Sequence, residues 1–351
     1  MGSACGAGSQ SGAVHDPSKV KTPGAAGDQA LRVLRMETPI SSLHWDETGS
    51  RVGFTDGHKE AKVWLTDEGD TRGAVDHFKV GGHSAPVTVL VFSPNGKFLL
   101  SAGRDGMIII WLLDTGEKGG EMDVPKLSLS ATEGTREIRA LAFAGEGKLL
   151  LSSSWDSFIR LWDPSKSLLL KEVQKDLPQV VSMQIDLKGR SLLVCNTKGD
   201  IQVWDVKSFD TLLEVQHGAP SSPEASEGEP DGSSCSPAIF SPTGASIISG
   251  GGPEAQTAVR VWEAANAQLR FSIQVNSAPR SLGVSPQGRF VAAGLENGEV
   301  AVCDLESKSV LKTLKGHTGP VLSVGFRTDG RILATGGADG TVQLWQTGGK
   351  L

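Results

Sequence analysis

Between residues 87 and 111 the chain reads VTVLVFSPNGKFLLSAGRDGMIIIW. Three short apolar runs are separated by SPNG and GRDG, two tetrapeptides of turn-forming residues. Runs of this length, bounded by such turns, predict strand, turn, strand, turn, strand. A fourth apolar run closes several units, as in LLLKEV (168–173) and LLEVQH (212–217).

The third run of each unit recurs. AKVWL (61–65), IIIWL (108–112), IRLWD (159–163), IQVWD (201–205), VRVWE (259–263), VAVCD (300–304) and VQLWQ (342–346) align on Trp64, Trp111, Trp162, Trp204, Trp262, Cys303 and Trp345. Successive intervals are 47, 51, 42, 58, 41 and 42 residues. The shorter ones measure a bare repeat and the longer ones carry insertions. Seven four-stranded units at about 40–45 residues predict an all-β fold, a single seven-bladed β-propeller.

Two units repeat a finer pattern. His83, Ser101, Asp105 and Trp111 are separated by 18, 4 and 6 residues, and His317, Thr335, Asp339 and Trp345 by the same three numbers. Ser152, Asp156 and Trp162 repeat part of it. With these motifs the chain resembles the WD-repeat β-propeller family over residues 31–346. The resemblance implies that each set is a buried structural tetrad, in which Asp holds His and His is linked through Ser or Thr to the indole. An Asp, a His and a Ser also suggest a catalytic triad. A reaction centre is needed once, however, whereas this constellation recurs, so the residues are assigned to the frame.

After Trp345 only QTGGKL remains, too little for a turn and a fourth strand, while LRVLRM (31–36) precedes the first strand of the first unit. The surplus strand is expected to complete the last blade and close the ring, leaving no open edge. The expected organisation is a disordered tail over 1–29, the propeller over 30–347 and a short tail over 348–351. Residues 217–236, rich in Pro, Ser and Gly, contain four acidic residues and neither Lys nor Arg, and are read as a flexible acidic loop. GGGPEAQTA (250–258) enlarges a nearby turn. The sixth unit is degenerate: Cys303 replaces the ring and Asn297 the turn Asp. A Cys so placed is read as a small apolar filler.

Composition narrows the function. A net charge of −6, from 34 basic and 40 acidic residues, offers no broad basic field for nucleic acid. Four scattered cysteines show neither CxxC spacing nor a disulfide framework, which fits the cytoplasm or nucleus. No apolar run approaches the roughly 18 residues of a membrane span. MGSACG carries the Gly2 of an N-acylation signal with Cys5 beside it, but Gly6 stands where that signal has Ser or Thr, so a plain tail is the better reading. No phosphate loop, HExxH, paired Cys/His zinc spacing or nucleophile elbow occurs, so no cofactor, metal or catalytic residue is assigned.

What remains is surface. The family resemblance implies partner binding on the rim formed by the loops leading into the innermost strands and by the second turns. Carried onto this chain, the rim candidates are Arg104, Trp155 and Lys198 beside the turns, and Glu137, Arg139 and Arg280 near the inner strand starts. The leading expectation is a non-catalytic protein-interaction scaffold in a multiprotein complex. The alternatives are a substrate receptor of a ubiquitin ligase, hinted at by Lys207, and a regulator of a nucleotide-binding partner.

Overall fold

The computed structural model describes residues 30–66, 77–113, 118–123, 136–174, 180–186, 188–196, 199–215, 237–250 and 257–347. The expected tails, the acidic loop at 217–236 and residues 251–256 of the enlarged turn lie outside them. Every regular element among the described residues is a strand, and none is a helix that could cross a membrane.

The chain opens with β1 (Arg32–Arg35). Blade one is β2 (Ser42–Trp45), β3 (Arg51–Thr55), β4 (Glu60–Leu65) and β5 (His77–Gly81). Blade two is β6 (Val87–Phe92), β7 (Phe98–Gly103), β8 (Met107–Leu112) and β9 (Lys118–Asp123). Blade three is β10 (Ile138–Ala144), β11 (Leu149–Ser154), β12 (Phe158–Asp163) and β13 (Leu168–Gln174). Blade four is β14 (Val180–Ile185), β15 (Ser191–Asn196), β16 (Ile201–Asp205) and β17 (Thr211–Val215). Blade five is β18 (Ala238–Phe240), β19 (Ser246–Gly250), β20 (Ala258–Glu263) and β21 (Leu269–Gln274). Blade six is β22 (Pro279–Val284), β23 (Phe290–Leu295), β24 (Glu299–Asp304) and β25 (Ser309–Lys315). β26 (Val321–Phe326), β27 (Ile332–Gly337) and β28 (Thr341–Gln346) complete the chain.

Each blade is a four-stranded antiparallel sheet in sequence order, except the last, whose order is β1-β28-β27-β26. β1 supplies its outer strand, with Arg32 opposite Leu344 and Arg35 opposite Thr341. The ring is therefore closed by pairing strands from the two ends of the propeller. The innermost strands run around the centre, each against the next, with β26 returning to β2.

The core lies between the blades. Seven clusters of buried apolar side chains occur among the described residues, and each joins one neighbouring pair of blades. Trp162 packs with Val91, Leu100 and Ile110 of blade two, and Trp345 with Val300 and Val302 of blade six. Both faces of a sheet are thus covered, which is why the second and third strands read as continuous apolar runs.

One irregularity positions the rim. In blades two, three, four, six and seven the inner strand skips a partner near its start, leaving Thr88, Arg139, Val181, Arg280 and Leu322 unmatched. A bulge bends the strand and re-aims the extra side chain. Arg139 and Arg280 are such residues.

Candidate functional site

Blades two and seven contain the same relay. Trp111 Nε1–H donates to Ser101 Oγ at 2.9 Å, Ser101 Oγ lies 2.8 Å from His83 Nε2, and His83 Nδ1 lies 3.0 Å from Asp105 Oδ2. The distances in blade seven are 2.9 Å for Trp345 to Thr335, 2.7 Å for Thr335 to His317 and 3.1 Å for His317 to Asp339. A neutral imidazole protonated on Nδ1 satisfies every atom: indole to hydroxyl, hydroxyl to Nε2, and Nδ1–H to carboxylate. Each Asp also accepts from the backbone of its own turn and of the residue after the His. The His side chains are inaccessible to solvent, so no substrate can reach them. The GH glycine is needed for closeness, since a Cβ on Gly316 would stand 2.8 Å from the Trp345 ring and 2.4 Å from Gln343 Oε1.

Electrostatics agree with that assignment. Burial lowers the His317 pKa below its ordinary value, only partly offset by Asp339. For Asp105, burial alone would raise the pKa, but hydrogen bonds from His83 and from the Met107 and Ser84 backbone bring it below the ordinary carboxylate range. Asp339 is lowered in the same way, against its burial, by the Thr318 backbone, Thr341 and His317.

Blade three departs from this plan. Trp162 donates to Ser152 at 2.8 Å, but Asp156 is not joined to that pair. It is held instead by Arg160, with Nη2 at 2.6 Å from Oδ2, and by the Ser154 hydroxyl. Arg160 is inaccessible to solvent; it also donates to Ser154 at 2.8 Å and lies 3.3 Å from Glu172. Arg160 stands two residues before the recurring Trp. At that position in blade one Lys62 pairs with buried Asp56, and in blade four Gln202 accepts from Trp204 at 2.9 Å. These blades hold a turn carboxylate or an indole from the third strand rather than from a His in the lead-in loop. Sequence reasoning missed this: a Lys, Arg or Gln two residues before the ring is visible in the sequence, but Gln343 stands there too in a blade with a complete tetrad, so the residue type alone does not say what it holds.

The rim candidates separate into two groups. Glu137 immediately precedes β10, and its carbonyl accepts from Trp155 N at 3.0 Å, which sets the second turn of blade three beside the inner strand. Glu137 Oε1 lies 2.9 Å from Arg139 Nε and 3.3 Å from Arg104 Nε of blade two. The Arg139 guanidinium lies 4.4 Å from the centre of the half-buried Trp155 ring. Arg104, Glu137, Arg139 and Trp155 therefore form one cluster across two blades. Arg280 is on blade six, where it pairs with Glu296 at 2.7 Å. Lys198 lies outside the described residues.

Comparison with known proteins bears on this architecture. The profile "WD domain, G-beta repeat" matches residues 76–111, 124–163 and 308–346, the segments ending at the Trp or strand of blades two, three and seven. The chain is a seven-bladed propeller that carries WD repeats. Among similar curated proteins, the serine-threonine kinase receptor-associated protein of Bos taurus is 24% identical over 302 residues, covering 76% of this chain and 81% of its own length. Protein groucho of Drosophila melanogaster is 25% identical over 267 residues, covering 76% of this chain and 34% of its own. WD repeat-containing protein 36 of Homo sapiens is 22% identical over 308 residues, covering 81% and 33% respectively.

The unmatched blades of this WD-repeat propeller include the sixth, where Cys303 takes the place of the ring. Its thiol is buried and desolvation pushes its pKa up to about 12, which leaves no nucleophile near neutral pH. Lys207 is exposed in a turn whose backbone is tied down, with its N–H on Asp205 Oδ1 at 2.9 Å and its carbonyl 3.3 Å from Lys171 Nζ. Among the described residues no group of His, Cys, Asp and Glu is arranged to hold a metal ion.

Proposed function

We propose that this WD-repeat propeller is a non-catalytic scaffold that holds partner proteins in a larger assembly, through the rim of the lead-in loops and second turns. The observation that carries this reading is the cluster of Arg104, Glu137, Arg139 and Trp155. It brings together Arg and Trp, the residue types over-represented at interface hot spots, across a boundary between two blades. A rigid closed ring supports such a rim, because its loops are anchored at both ends by paired strands. The relatives add weight: one is named for its association with a kinase receptor. Cys195 and Cys303 are buried and not joined in disulfides, which supports a reducing compartment, cytoplasm or nucleus.

The test is purification of the tagged protein from its native source beside an Arg104→Glu, Trp155→Ala variant, with co-purifying proteins identified by mass spectrometry. A stoichiometric partner set present with the wild type and absent with the variant supports the reading. An unchanged set would move the binding face elsewhere.

A further inference from the structure

Arg139 of blade three and Arg280 of blade six occupy one position in the fold, the bulged second residue of the inner strand. The turn residue beside that position is Trp155 in blade three and Glu296 in blade six, each donating its backbone N–H to the residue two before the Arg, Glu137 and Ala278 respectively. In blade six the Arg is matched within its own blade, 2.7 Å from Glu296. In blade three the equivalent carboxylate is replaced by an indole. Arg139 must turn to Glu137, whose Oε1 also faces Arg104.

Among the described residues, two guanidinium groups thus share one carboxylate oxygen, and one of their positive charges is left over. Arg139 is only 19% exposed and Glu137 6%, so water neutralises the excess poorly. Burial lowers the Arg139 pKa; Glu137 opposes this and Arg104 adds to it. Hydrogen bonding shows a deficit of the same sign. Glu137 Oε1, Arg139 Nε and Trp155 Nε1 are buried without a hydrogen bond, the 2.9 Å contact between the first two bringing charges together out of alignment. Two of these three atoms are donors lacking an acceptor. Arg136, nearby in the same loop, has interactions of its own and is not counted.

We propose that the corner between blades two and three seats the carboxylate of an acidic side chain, presented by an extended segment of a partner protein, in the role that Glu296 has within blade six. This rests on the reading of the rim as a partner-binding face and names the chemistry that the rim selects. A single negative charge suits the site, because two guanidinium groups against one carboxylate leave one charge to balance. Arg104, 57% exposed, is the group that such a segment meets first.

The test is fluorescence anisotropy with full-length protein and three labelled decapeptides: alternating Ser and Glu, alternating Ser and Gln, and alternating phosphoserine and Gln. The Glu peptide is expected to bind the wild type, and its affinity to fall about tenfold in Arg104→Gln and in Trp155→Glu, the loss of roughly one charge-assisted hydrogen bond. Trp155→Glu keeps both arginines and supplies the blade-six carboxylate from within. Lys166→Gln, a charge removed from an exposed turn of the same blade, should bind as wild type. Should Trp155→Glu fail to fold, the exposed Arg104→Gln decides alone. Equal binding by the wild type and these variants, or binding of the phosphoserine peptide without the Glu peptide, overturns the proposal. If no peptide binds while native partners are still lost from the Arg104→Glu, Trp155→Ala variant, the carboxylate assignment falls and the rim reading stands; if that variant keeps its partners, the rim reading falls too.

Discussion

Blades three and six have the same order of four strands and the same inner-strand bulge, yet they solve the polar problem of a propeller blade in opposite ways. Blade six removes it. Ala293, Ala301 and Cys303, at the places where blade three has Ser152, Arg160 and Trp162, are buried apolar groups, and its rim Arg is matched by Glu296. Blade three keeps a buried hydroxyl and indole, adds a fully buried Arg160 with Asp156, and leaves its rim Arg stacked on Trp155. The backbone therefore tolerates either a dry blade or a charged one. What differs is whether the rim ends up neutral or in need of a partner.

The largest effect should come from breaking the charged interior of blade three. Arg160→Met leaves Asp156, with 5% of its side chain exposed, as an uncompensated buried charge, and should cost about 3–5 kcal/mol by chemical denaturation. Removing the carboxylate as well, in Arg160→Met, Asp156→Asn, should recover most of that loss. A cost below about 1 kcal/mol for the single variant would show that the pair is dispensable. Next comes the reciprocal rim exchange. If Trp155 opens the site in blade three, Glu296→Trp should open a second one at Arg280, seen as a rise in the number of Glu peptides bound per chain with little change in melting temperature.

These contrasts explain what could be read in advance. The seven units and the closing strand were legible because strand and turn chemistry recur in the sequence at fixed spacing. LRVLRM at one end is a surplus strand that answers a shortage at the other. The tetrads of His83 and His317 were implied by the family resemblance, and their common spacing reflects one fold that separates the residues alike in both blades. Arg160 was not legible as a substitute for the missing His, since its role depends on its reaching from the third strand to the turn of its own blade. The meeting of Arg104 with Glu137 was equally hidden, because it joins two blades across 33 positions of sequence.

The next contrast sets blade six against the His-bearing blade seven and concerns pH. His317 has a folded pKa below its ordinary 6.5, so the unfolded chain takes up a proton first as pH falls. Stability should then decline as pH drops below about 7 and continue to do so until the folded form also titrates. Asp105 and Asp339, depressed in the fold, contribute stability that is present above their ordinary 3.8 and lost as pH falls through their folded values. Both effects have one sign. Melting temperature followed from pH 7.5 to 5 should fall, and His317→Gln should flatten that slope although it lowers the starting value. An unchanged slope in the variant would mean that His317 is not the titrating group.

The smallest effect is expected in blade six itself. If Cys303 is only a filler, Cys303→Val puts a slightly larger apolar group in its place and removes no hydrogen bond, and should change stability by about 1 kcal/mol at most. Its thiol, with a pKa of about 12, should resist maleimide in the native protein at pH 8 and react on unfolding. Trp162→Phe makes the matching change in blade three. It leaves the Ser152 hydroxyl buried without its indole donor and should cost about 1–3 kcal/mol. The order of the two costs is the decisive reading. A Cys303→Val loss as large as that of Trp162→Phe would mean that the thiol has a polar role in blade six, and that the dry blade is not dry.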